Sequence, residues 1–268
     1  MGDVSYLLQF NGSMINTFLC GKWRPIVLQV VLILLFGVSL LKGQSTNDEE
    51  ESLLRVNFSV FSFKRLSGLH YLKGDLSTGV PLKFYSSDRS PVYNYEGENP
   101  IVFFREILAP TEIDPNAIKR VKVAEISILK PGGDYLFIFF QNSETETDSY
   151  KIFPLDDSLV ALPYGSVRFF NATAHQLIGK LGKNDISIGS GPSKAYRLKG
   201  SSHTLDYGFE YDGKFHISYQ SPFQLSEDMR GIFMVSPPFV KGSALLQTRL
   251  LRETRLSGGA DQNIDQLE

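Results

Sequence analysis

The chain has 268 residues, 42% of them hydrophobic and 21% charged, with 27 Lys and Arg against 29 Asp and Glu. That length suits one or two domains with real cores, and the balance excludes a disordered chain, a multi-span membrane protein and a polycation built to hold nucleic acid. The single cysteine, Cys20, and the single tryptophan, Trp23, both lie near the start.

Lys22 and Arg24 precede an apolar run from Ile26 to Leu41, broken by Gln29 and Ser39 and followed by Lys42, Gly43, Gln44 and the acidic stretch Asp48 to Glu51. A positive flank, a short apolar core, a small residue and then polar sequence make a secretory signal. Residues 1–43 are therefore expected to be a signal peptide cleaved after Gly43, with Ser39 as the second choice. Met14 also lies upstream of the basic pair and is an alternative start. Residues 26–41 fall short of the roughly 20 residues of a spanning helix, so an uncleaved membrane anchor is the alternative reading. Cys20 precedes the run, which argues against a lipoprotein.

Cleavage would take three bases and one acid, leaving 24 bases against 28 acids and a net charge of −4. It would also take Cys20 and Trp23, so no disulfide, thiolate ligand or cysteine nucleophile would remain and core burial alone would hold the fold. A periplasmic or secreted location is expected, in a bacterial envelope. Membrane contact is expected only through residues 26–41 if uncleaved, and no attraction for nucleic acid. Residues 44–54 read as a polar linker and 256–268 as a disordered tail.

From Arg55 onward the periodicity is that of strands. Val56, Phe58 and Val60 alternate with Asn57 and Ser59, and Val121, Val123 and Ile126 to Ile128 do much the same. Tyr135 to Phe140 is a continuous apolar run of strand length, consistent with a sandwich core. Phe209 to Tyr211, then Asp212 and Gly213, then Phe215 to Tyr219 is the strongest hairpin signal, because an Asp-Gly pair accepts positive φ angles. Pro115 to Ile118 allows one short turn, and no amphipathic helix follows the leader.

The two halves look alike. Leu69 to Gly74 leads into Val80 to Tyr85 and a polar turn at 86–90. Gln176 to Gly182 leads likewise into Asp185 to Ile188 and a turn at Gly189 to Ser193. Near the end of each half, Glu125 to Phe137 and Gly231 to Leu250 each read as strand, Pro/Gly turn and strand. The expected fold is all-β, with two tandem immunoglobulin-like β-sandwich domains at 55–155 and 156–255. A single larger sandwich is the competitor. The join falls near Phe153 to Ser158.

This texture resembles secreted bacterial proteins of the Verrucomicrobia type, in which an export signal precedes immunoglobulin-like sandwiches. Gly165 to Thr173, with Val167, Arg168, Phe169, Phe170 and Asn171, is similar to the opening strand of small extracellular β-domains. The resemblance covers short stretches, lacks the cysteine pair and core tryptophan of immunoglobulin domains, and implies a fold class but no activity.

Motifs for catalysis are weak. No Gly-x-Ser-x-Gly elbow is present. Asp75 to Gly79 lacks the acid beside Thr-Gly that an aspartic-protease loop needs, and reads as a hairpin turn. The histidines, His70, His175, His203 and His216, show no paired spacing for a metal, and His216 is expected to point away from the core. Gly179 to Gly182 has the form of an RNA-clamping Gly-x-x-Gly loop, but its flanks are strands. Asn57 to Ser59 and Asn171 to Thr173 have the form of glycosylation acceptors. Tyr93, Tyr95, Glu96 and Asn99 offer two rings and hydrogen-bonding groups on one expected loop, a candidate sugar site.

The expectation is an exported, non-enzymatic protein acting through contacts with an envelope or extracellular protein. The alternatives are a carbohydrate-binding module, and a hydrolase whose carboxylates converge in space. No cofactor is implied.

Overall fold

The computed structural model describes residues 53–74, 78–85, 88–130, 132–142, 149–240 and 242–255. The expected signal peptide, most of the polar linker, the C-terminal tail and most of the Asp75 to Gly79 turn lie outside them. The described residues are all-β, with no helix.

Eight strands come from the first half: β1 Leu54–Ser62, β2 His70–Tyr71, β3 Val80–Pro81, β4 Tyr93–Gly97, β5 Ile101–Leu108, β6 Ile118–Ile126, β7 Asp134–Gln141 and β8 Tyr150–Asp156. Nine come from the second: β9 Ser166–Asn171, β10 Leu177–Leu181, β11 Asn184–Ile188, β12 Gly191–Pro192, β13 Tyr196–Arg197, β14 Ser202–Tyr211, β15 Lys214–Gln224, β16 Met229–Ser236 and β17 Gln247–Thr254.

They form four sheets that segregate by sequence. The first half makes β4-β1-β7-β8 and β3-β2-β5-β6; the second makes β12-β9-β16-β17, with β13 also on β9, and β11-β10-β14-β15. The second order repeats the first strand for strand. β1 is antiparallel to β4 and parallel to β7, as β9 is antiparallel to β12 and parallel to β16. Even the irregularity recurs: the β5–β6 ladder slips at Phe103/Phe104 and the β14–β15 ladder at Tyr207/Gly208.

The likeness of Leu69–Tyr85 to Gln176–Ile188 is thus the likeness of β2–β3 to β10–β11. The second expected correspondence is off by one strand. Glu125 to Phe137 runs from β6 across to β7 in another sheet, whereas Gly231 to Leu250 is the β16–β17 hairpin within one sheet. Strand, turn and strand read the same along the chain whether the second strand pairs with the first or crosses over. Gly191 and Pro192, expected as part of a turn, pair with Asn171 and Phe170.

Each pair of sheets closes on its own core. Val56, Phe58, Val60, Phe137 and Phe139 meet Tyr71, Ile101, Phe103 and Val123; Val167, Phe169, Phe233 and Val235 meet Leu177, Leu205, Tyr207, Phe209 and Phe223. A third cluster lies on the opposite faces of the same strands. Phe61, Leu136, Ile138 and Leu155 pack with Leu162, Phe170, Ile232, Met234 and Leu251. The sheets of β7 and β16 are therefore apolar on both faces, and this middle layer joins the two halves. Alternation along β7 sends Phe137 and Phe139 one way and Leu136 and Ile138 the other, which is why its sequence is a continuous apolar run.

Candidate functional site

The four residues of the expected sugar site do not share a surface. On the edge strand β4, Tyr93 turns its ring to Phe58 and Tyr71, at 5.4 and 5.8 Å between centroids. Its hydroxyl accepts a hydrogen bond from the Lys83 amide at 2.7 Å. Tyr95 is buried, its hydroxyl donating to the Glu98 carbonyl at 2.6 Å. Burial pushes both phenols up, and the Tyr71 phenol beside them to about 12. Asn99 is spent on backbone, donating to the Ile128 carbonyl and accepting from the Ile128 amide. Glu96 faces solvent and pairs with Arg55. Of the four, Tyr95 and Glu96 meet at a hollow of about 290 Å³ with Lys73 and Asn94.

The acceptor-like asparagines are similarly engaged. Asn57 donates to Asp134 and accepts from Asn94. Asn171 is fully buried: its carbonyl oxygen accepts from the Thr173 amide and hydroxyl, and its amide donates to the His175 and Gly189 carbonyls. Gly179 lies in β10, paired with Tyr207 and Ile186.

Charge concentrates at one end of the middle layer. Ser90 is tied to Val60 by two hydrogen bonds, which sets Arg89 against β1. Arg89 donates to Asp157 and, at 2.7 Å, to Glu253. Arg230, on the middle-layer face of β16, donates to the Asp157 carbonyl at 2.7 Å and to Glu253 at 2.8 Å. Tyr164 donates to Glu253 and lies under Arg230 and Arg255. Arg168 reaches the Asp156 carbonyl from the same face of β9. Burial pushes the Asp157 carboxyl up, outweighing the positive charges of Arg89 and Arg230. Two acids do converge here, but both are held by the same two guanidiniums, and the cluster binds the first half to the second.

A cleft of about 650 Å³ opens among the second-half loops. β9 and β16 run parallel, so the loops after them emerge at one end, and the β14–β15 hairpin turns there too. Asp212 and Gly213 both have positive φ, 50° and 67°, making the expected tight turn. The Asn171 network fixes the β9–β10 loop so that His175 stacks on Phe209 at 4.3 Å, with Tyr211 edge-on to it at 6.1 Å. His216 lies beside Phe209 and Tyr211. The expectation that it faces away from the core is corrected: it pairs with Phe209 on the inward face, at the end of the sandwich where the layers part. Pro237, Pro238 and Phe239 of the β16–β17 loop form the opposite wall, with Asp212, Lys214 and Ser243 at the rim. Phe239 and Val240 are 83% and 70% exposed and Tyr211 54%. The base of this loop is fixed by the extra residue of the β15 bulge, whose Ser218 hydroxyl accepts from the Leu246 amide.

Sequence reasoning passed over this cleft. The hairpin and the Pro-Pro-Phe loop were each visible, but not that they and His175 gather at one end. Among the described residues no group of three or more His, Cys, Asp or Glu is placed to hold a metal ion, and no helix is long and apolar enough to cross a membrane. No protein-family model matches the chain, and no curated protein matches it.

Proposed function

We propose that the protein is exported and works by recognition, with tandem immunoglobulin-like sandwiches presenting the loop end of the second half to an envelope or extracellular partner. The single observation carrying this conclusion is the aromatic cleft bordered by exposed apolar side chains. Phe239, Val240 and Tyr211 cannot be explained by packing, since each is more than half exposed, and clustered exposed apolar groups mark interaction surfaces. The repeated order of two facing sheets per hundred residues supports the immunoglobulin-like assignment. The signal-like leader supports export. The buried charges support a non-enzymatic role, because each lies in the lock between halves.

Co-sedimentation with an isolated envelope fraction tests the proposal. The purified chain from Gln44 onward is expected to sediment, and Phe239→Ser with Val240→Ser to reduce its retention about tenfold at unchanged melting temperature. Equal retention of the two proteins would remove the loop end as the contact. Protein recovered from the exported fraction is expected to begin at Gln44; a chain beginning at Met1 or Met14 in the membrane fraction would favour the anchor.

A further inference from the structure

We infer that the cleft of the second half is a glycan-binding site, taking a pyranose ring of an oligosaccharide. This rests on the recognition role proposed above and names its ligand. The volume of about 650 Å³ lies within the roughly 300–1,000 Å³ of small-molecule sites. Its wall is aromatic, Phe209 under His175 with Tyr211 standing perpendicular, and Asp212, Lys214 and Ser243 line it beside the exposed Phe239.

A pyranose has an apolar C–H face and a girdle of hydroxyls that both donate and accept. Rings offer the first a surface of the right flatness. For the second, the Asp212 carboxylate accepts, the Lys214 ammonium donates, and the imidazole of His216 does either according to its tautomer. A lipid tail would leave these groups unpaired on burial, at a cost. A phosphate would gain Lys214 but face the charge of Asp212. A peptide adding as a strand would choose the open edge of β15 over the cleft at its end. Tyr93 and Tyr95 carry the same residue types with their rings turned inward; Tyr211 carries its ring outward because it stands at a hairpin tip.

The test is calorimetric titration of the intact exported chain with defined gluco-, xylo-, manno- and N-acetylglucosamine oligosaccharides. At least one class is expected to bind saturably and to shift the imidazole NMR signals of His175 and His216. Tyr211→Ala is expected to weaken binding about tenfold and Tyr211→Phe to retain it. Asp212→Asn keeps a residue that tolerates the turn's positive φ and is expected to weaken binding as well, so the inference stays exposed even if Tyr211→Ala fails to fold. Failure of every class at millimolar concentration, or binding indifferent to both Tyr211→Ala and Asp212→Asn, would overturn it. If the oligosaccharides fail while envelope sedimentation still depends on Phe239, the glycan inference falls and the recognition role stands; if both fail, both fall.

Discussion

Asp157 and Asp156 are neighbours with opposite electrostatics. Burial raises the Asp157 carboxyl above the ordinary 3.8 despite Arg89 and Arg230. Desolvation also acts on Asp156, but hydrogen bonding from Ser158 and the charge of Arg168 outweigh it and the net shift is downward. The contribution of Asp157 to stability is therefore fully present below 3.8 and lost as pH rises through its raised folded value. That of Asp156 is present above 3.8 and lost as pH falls through its lowered one. Urea unfolding across acid pH checks this. Wild type minus Asp157→Asn is expected to decline with rising pH above 3.8, and wild type minus Asp156→Asn to climb with pH below it. A climb below 3.8 with no decline above it for Asp157 would mean that the guanidiniums outweigh burial. At the same scale, Asn171→Ala strips partners from Thr173, His175 and Gly189. It is expected to cost about 1–3 kcal/mol in denaturant unfolding and to broaden the His175 NMR signals. The Asn171–Thr173 motif was legible as a pattern, but its chemistry was not. Burial decides between a sugar acceptor and a turn clamp, and burial depends on strands far away in the chain.

At the level of elements, the hairpin at Asp212 and Gly213 and the strand Ser166–Asn171 were readable because their signals are local: positive-φ residues in a two-residue turn, and a short β-branched and aromatic run. The pairing of β1 with β7 was not readable. It is parallel and joins residues 77 apart, Asn57 with Asp134, and no local pattern states a long-range partner. The bulges escaped for a related reason. One extra residue in β15 makes no visible change in sequence, yet it moves Ser218 out of the alternation and into contact with the β16–β17 loop. Gly208 makes that bulge feasible, since a Cβ there would collide with the His216 carbonyl and the Phe215 ring. Gly208→Ala is expected to cost about 1–3 kcal/mol, and hydrogen exchange is expected to quicken at Leu246, the amide that Ser218 holds. Unchanged exchange at Leu246 would separate the bulge from the loop.

For the whole molecule, the middle layer determines whether the halves act as one body. Ile232 and Leu136 are fully buried in it. Ile138→Asp, at a fully buried position in register with Phe61 and Phe153, places a charge among the cluster's apolar side chains. It is expected to cost more than about 3 kcal/mol and to open the connector at 157–165 to limited proteolysis while each half keeps its own aromatic core. Simultaneous loss of both cores would show a single cooperative unit. Part of this was written in the sequence: Tyr135 to Phe140 announces two-sided burial. Its counterpart in β1 was masked, because the alternation of Val56, Phe58 and Val60 draws attention to one face while Phe61 serves the other.

The double-faced sheets also impose an order of events on biosynthesis. Synthesised from its amino end, the chain completes β1 to β8 before β16 has been made. Until β16 arrives, Leu136 and Ile138 form a bare greasy wall facing water, the kind of surface on which nascent chains stick to one another. Slow elongation would lengthen that interval and holdase chaperones would shield it, so the yield of folded protein should respond to the rate of synthesis more than to the final strength of the fold.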